Sequence, residues 1–173
     1  MSVIAEKFED YSNNPNDNSA TAVISAFEDL KIDRTHAAFG KTTDKIYQYQ
    51  NMGMLERQVL SSHALSVKLA FKLKLVSDGA FSQDLDIILG QLIRINPELF
   101  LTELKSSKSK NRLRSFLNYG GPYVDRISAQ CHESILRAQA LKSTDPDLAP
   151  DLKSKLIAIF ESDSTSELCN DEI

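Results

Sequence analysis

PYVDRISAQCHESILRAQALK, residues 122–142, is the stretch that decides the fold. Val124, Ile127, Cys131, Ile135, Ala138 and Leu141 advance by three or four residues, so on a 3.6-residue turn they line one face and predict a helix from Pro122 to Lys142. Its entry, Gly121-Pro122, places a proline where a helix leaves its first N–H groups unpaired, so the missing donor costs nothing. The same punctuation recurs at Asn96-Pro97-Glu98-Leu99 and at Asp145-Pro146-Asp147-Leu148, which predicts three helix starts 25 and 24 residues apart.

Working outward, Leu85, Ile88, Leu89, Leu92 and Ile95 form a second apolar stripe. Gly90 inside it costs about 1 kcal/mol relative to Ala and so marks a close approach of another helix. A short helix from Pro97 to about Lys105 follows at a corner. Leu55 to Val76 is long enough for six turns, with Leu65, Leu69, Leu73 and Val76 on one face. Within it Leu69, Phe71, Leu73 and Leu75 also alternate with Lys72 and Lys74, the period of a strand; helix is preferred because a strand would have no partner. Ser77-Asp78-Gly79 ends this element, with Gly79 suited to a left-handed conformation and Asp78 or Ser82 to capping the next helix.

Toward the N-terminus, helices are expected at Val3–Tyr11 and Ser19–Leu30, joined by the turn-forming run Ser12–Asn18. An irregular connection over Lys31–Thr43 then leads to a helix around Asp44–Asn51. The last helix runs from about Pro150 to Glu161, with Pro146 as the alternative start. The expectation is an all-α single domain over 1–161, a helical bundle or short α-solenoid-like stack of about seven to eight helices. Residues 1–30 form a looser N-terminal helical pair, and 162–173 an acidic disordered tail.

Leu65–Leu104, with Ser77-Asp78-Gly79-Ala80-Phe81 and Ile95-Asn96-Pro97-Glu98-Leu99-Phe100 between helices, resembles the irregular hairpins of HEAT-like proteins and a group of bacterial all-helical proteins. The resemblance covers about a quarter of the chain and implies fold alone.

The chain has 173 residues, enough for one core, and a net charge of −4, which disfavours nucleic-acid and membrane-surface binding. No apolar run approaches the ~20 residues of a membrane span, and Met1–Tyr11 lacks an export-signal pattern. Together these predict a soluble cytoplasmic chain, or an exported one whose signal has been removed. Cys131 on an apolar stripe and Cys169 in an acidic tail do not suggest a disulfide framework. Cys131-His132 are neighbours that point about 100° apart on a helix, so no metal or cofactor is expected. Asp78, Asp84 and Asp86 lack the ligand order of a calcium loop and read as capping acids. Ser61-Ser62-His63 puts a hydroxyl beside an imidazole, but adjacent helical residues diverge, and Gly120-Gly121-Pro122 lacks the lysine and strand of a phosphate loop.

The functional candidate is the basic run Lys105, Lys108, Lys110, Arg112, Arg114, which has no acid among its ten residues. It reads as a solvated loop leading into a helix containing Leu113, Phe116 and Leu117, and as a surface for an acidic protein partner. Tyr119 and Tyr123 flank the next turn and make an exposed aromatic patch or pack in the core. Two functional readings follow: a non-catalytic protein-interaction module of immunity or adaptor type, or a cryptic enzyme or small-ligand carrier with a site in the helical core.

Overall fold

Asn96 ends one helix and starts the next: its backbone N–H reaches back to Leu92 O, and its side-chain oxygen accepts from Leu99 N at 3.0 Å, with Pro97 in the first turn. This corner sits near the middle of an all-α chain. The computed structural model describes residues 2–28, 44–107, 111–119, 126–165 and 169. Its helices are α1 (Ser2–Asn13), α2 (Asp17–Glu28), α3 (Tyr49–Leu60), α4 (Ala64–Val76), α5 (Gly79–Ile95), α6 (Pro97–Ser106), α7 (Ile127–Lys142) and α8 (Pro150–Ser164), with a 3₁₀ turn at Leu113–Leu117. No strand occurs among the described residues.

Neighbours in sequence pack as neighbours in space. α1 lies on α2, α3 and α4 lie on α5, α6 packs against both α4 and α5, and α7 pairs extensively with α8. One apolar core runs through all of them from Ile4 to Phe160. At its centre Phe100 and Phe116 meet edge-on at 5.1 Å, with Phe71 5.6 Å from Phe100. Such aromatic pairs add about 0.5–1.5 kcal/mol each beyond their burial.

Local chemistry explains several boundaries. α2 begins with a reciprocal cap, Ser19 N to Asn16 Oδ1 at 3.0 Å and Asn16 N to Ser19 Oγ at 3.1 Å. Gly79 takes the left-handed φ of +48° that lets α5 start directly after α4, while the Asp78 side chain makes no capping bond. The segment Leu69–Leu75 is helical throughout. Its strand-like alternation arises because α4 is buried nearly all round, Lys74 included.

Six expectations need correction. The span Leu55–Val76 is two helices: Ser62 adopts φ +63° and breaks the chain at Ser61–His63. The helix expected at 44–51 is likewise interrupted, a helical turn at 44–46 giving way to α3 at Tyr49. α7 starts at Ile127, not at Pro122, and residues 120–125 lie outside the described set. Asp145-Pro146 opens no helix: Asp147 N bonds Asp145 Oδ1 at 2.9 Å in a side-chain-closed turn, and Pro150 is the first residue of α8. On the expected stripes, Ile95 (52% exposed) and Ile135 (41%) face solvent, while Glu133, Ser134 and Arg137 are buried in their place on α7. Finally, the chain after Glu161 does not simply fray. α8 continues to Ser164, and Cys169 is disulfide-bonded to Cys131. The expected Lys31–Thr43 connection lies outside the described residues.

Candidate functional site

The 3₁₀ turn Leu113–Leu117 is short and intrinsically weak, since such turns bond with poorer geometry than an α-helix. It is anchored by buried Leu113 and Phe116, which leaves Arg112 and Arg114 exposed on its outer side. Lys105, exposed at the end of α6, faces the same margin. Together with Asn111, Asp151 and Lys155 it lines an open cleft of about 420 Å³ between the end of α6 and the start of α8. No ion pair among the described residues uses Lys105, Arg112 or Arg114. Arg112 adds only a longer-range pull on the buried Asp86 carboxyl. Lys108, Lys110 and Tyr123 fall outside the described residues.

Two buried ionic networks grip this turn from beneath. In the first, Lys74 of α4 donates to Asp86 Oδ2 of α5 at 2.5 Å, to Ser82 Oγ at 2.6 Å and to Ser82 O at 3.2 Å. The other oxygen of Asp86 accepts from Ser115 Oγ, on the turn itself, at 2.8 Å. Burial pushes the Asp86 carboxyl above its ordinary value, and the Lys74 and Ser115 hydrogen bonds pull the other way. In the second, Arg137 of α7, only 1% exposed, donates from Nε to Glu133 Oε1 at 3.0 Å and from Nη1 to Phe116 O at 2.7 Å. Arg94 of α5 donates to the other oxygen of Glu133 at 2.8 Å. The Arg137 guanidinium also lies over the Tyr119 ring, 4.7 Å from its centroid. Burial pushes this guanidinium down from its ordinary value, with Glu133 opposing.

Gly90 is what admits Arg137: a Cβ there would meet Arg137 Nη1 at 2.6 Å. The close approach expected at Gly90 is therefore real, and its partner is a cation. Buried ion pairs seldom add net stability, because desolvation offsets their attraction; their surer effect is to fix one arrangement. Here both networks end on the turn that carries Arg112 and Arg114.

Of the two readings of Tyr119, packing in the core is the one that holds, and its assignment to a partner-binding surface is corrected. The residue is 5% exposed, so it forms no surface aromatic patch. Its hydroxyl contacts Ser134 Oγ and donates to Asp163 Oδ2 at 2.9 Å, and Ser134 Oγ donates to the same oxygen at 2.6 Å. Burial drives the phenol far above its ordinary value. The cluster ties the end of α8 to α7 and to the residues after the 3₁₀ turn. The Cys131–Cys169 bond fixes a second point of α7 to the chain beyond α8.

A hydroxyl–imidazole–carboxylate chain does exist, although not at Ser61 or Ser62. His63 Nδ1 lies 2.6 Å from Ser66 Oγ, His63 Nε2 lies 2.9 Å from Asp17 Oδ1, and Ser66 Oγ lies 2.6 Å from Tyr11 Oη. Ser66 is wholly buried, so its oxygen has no approach for a substrate carbonyl and is occupied by Tyr11. The chain joins α1, α2 and α4 as a structural tie. Among the described residues no three His, Cys, Asp or Glu side chains converge as metal ligands, and no helix is long and apolar enough to cross a membrane.

Sequence reasoning found the exposed basic residues but missed Lys74, Asp86, Glu133 and Arg137 that hold them. The available signals were Glu133 and Arg137 one turn apart, and a lysine inside the apolar run Phe71-Lys72-Leu73-Lys74-Leu75. Compared with known proteins, the chain matches no family model, no curated protein and no solved structure.

Proposed function

We propose that this protein is a non-catalytic protein-interaction module, of the adaptor or immunity kind, whose basic margin receives an acidic segment of a protein partner. The observation that carries the reading is the pairing of exposure with preorganisation. Arg112 and Arg114 are free of ion pairs with the described residues, yet Ser115 and Phe116 beside them are each held by a buried charge. A cationic surface whose backbone is already ordered loses less entropy on binding than a flexible loop. Arginine's planar fork also matches carboxylates in pairs. The Leu65–Leu104 hairpins, read as HEAT-like, serve as the scaffold beneath this margin.

The Cys131–Cys169 bond favours an exported or periplasmic setting over a cytoplasmic one, since disulfides persist where thiols are not kept reduced.

The test is binding of a fluorescent hexaglutamate peptide to the full chain and to Arg112→Glu/Arg114→Glu at low ionic strength. Saturable binding that falls at least about tenfold in the variant and weakens with salt is expected. Equal binding by both proteins, or binding of a single-stranded oligonucleotide in preference to the peptide, would remove the reading.

A further inference from the structure

On the face where α4 meets α6 lies a second cleft of about 460 Å³, within the range that accommodates small organic ligands. Its lining includes half-buried Leu75, with an edge of the buried Phe71 behind it, as an apolar strip, Lys68 and Lys72 along one side, and Glu103 on the other. Lys72 is already engaged, donating to Glu28 Oε1 at 2.9 Å. Lys68, one turn earlier on α4, closes no ion pair with a described residue. Glu103 is half-buried, and its carboxylate accepts no hydrogen bond from the described residues. Burial raises the Glu103 carboxyl above its ordinary value, while Lys68 and Lys72 pull it back. The cleft therefore holds an acceptor-only group and a donor-only group that feel each other without joining.

A cationic ligand would satisfy Glu103 and be repelled by the lysines, and an anionic ligand would meet the reverse problem. A molecule with both charges a few ångströms apart answers both, and the apolar strip calls for an apolar body attached to them. We propose that this cleft binds a zwitterionic α-amino acid with an apolar side chain, its ammonium on Glu103, its carboxylate on Lys68, and its side chain against Leu75 and Phe71. The site is separate from the basic margin and does not depend on that margin's function.

The experiment is calorimetric and NMR titration of the full chain with L-leucine, beside isopentylamine, which lacks the carboxylate, and 4-methylpentanoate, which lacks the ammonium. Leucine should bind saturably with a Kd of about 1 mM or tighter, a modest demand for a ligand of its size. Each single-charge analogue should bind at least about tenfold more weakly, the factor expected when a partly buried charge loses its partner. Glu103→Gln and Lys68→Met should each reproduce that loss with an unchanged helical circular-dichroism spectrum. In the unmodified protein the shifted amides should centre on Lys68, Leu75 and Glu103, a readout that needs no variant. Absence of any shift at about 10 mM leucine, equal binding of the analogues, or shifts centred elsewhere would each overturn the proposal.

Discussion

Two helical glycines should respond to the same substitution with opposite signs. In Gly53→Ala the new Cβ has open space, the nearest atom being Arg57 Nη1 at 4.0 Å. The variant should gain the ordinary helix-propensity difference of about 1 kcal/mol. In Gly90→Ala the same gain is opposed by Arg137, whose Nη1 would lie 2.6 Å from the methyl, where ordinary contact begins at 3.4 Å. The guanidinium cannot swing into solvent because it is enclosed and bonded to Glu133 and Phe116. Relief of the missing ~0.8 Å requires Nη1 to move, and Nη1 is held to Phe116 O at 2.7 Å; a shift of that size away from the carbonyl takes the contact to the limit of hydrogen bonding. Losing a charged, buried hydrogen bond costs about 1.5–3 kcal/mol, so the net effect is about 0.5–2 kcal/mol of destabilisation. Because propensity is common to both variants, their stabilities should differ by about 1.5–3 kcal/mol, or roughly 3–12 °C in Tm for a chain of this size. Urea and thermal unfolding of the two proteins measure this directly. A Gly90→Ala protein as stable as Gly53→Ala would refute the buried position assigned to Arg137.

Other consequences can be checked with the same assays. Lys74→Met should cost about 3–5 kcal/mol by stranding Asp86, whereas Lys74→Met/Asp86→Leu should recover most of that loss; a double variant as weak as the single would contradict the pairing. Reduction of Cys131–Cys169, or Cys169→Ser, should lower stability by roughly 4 kcal/mol on the chain-entropy account of a 38-residue separation, read as a dithiothreitol-dependent Tm; an unchanged Tm would show that the bond restrains nothing. Glu103 has a raised folded-state carboxyl, so its contribution is present below its ordinary value of 4.5 and lost as pH rises through the higher folded value. Glu103→Gln should accordingly gain stability relative to the parent as pH rises above 4.5 in urea titrations, and a relative loss over the same rise would reverse the assignment.

What the sequence made legible, and what it hid, follows one physical line. Asn96-Pro97 was readable because capping is local: donor, acceptor and proline all lie within four residues. The apolar face of α5 was readable for the same reason, apart from its last residue. α7 was misjudged because periodicity counts only apolar residues. Arg137 and Glu133 are buried through partners on α5 and the 3₁₀ turn, 39 and 21 residues away, and so displace the buried face from Ile127 and Ile135. The break at Ser62 left no trace because the apolar pattern is strong on both sides of it, and its left-handed φ falls on a serine instead of a glycine. At the candidate site, the density of positive charge marked Lys105, Arg112 and Arg114 as exposed. Tyr119 was ambiguous because its burial depends on Ser134 and Asp163, residues brought to it only by the packing of α7 on α8. The disulfide was hidden similarly, since a separation of 38 residues says nothing until α7 and Cys169 beyond α8 are placed.

Recognition through a basic turn ordered by buried charge can be mapped by amide-resolved NMR of the isotope-labelled chain titrated with hexaglutamate. Shifts should be confined to Lys105, Asn111–Leu117 and the start of α8 near Lys155, with no line broadening of Arg112 or Arg114 in the free protein and loss of the shifts by about 0.5 M salt. Shifts centred on α1 and α2, or an Arg112–Leu117 segment already broadened before peptide is added, would contradict it.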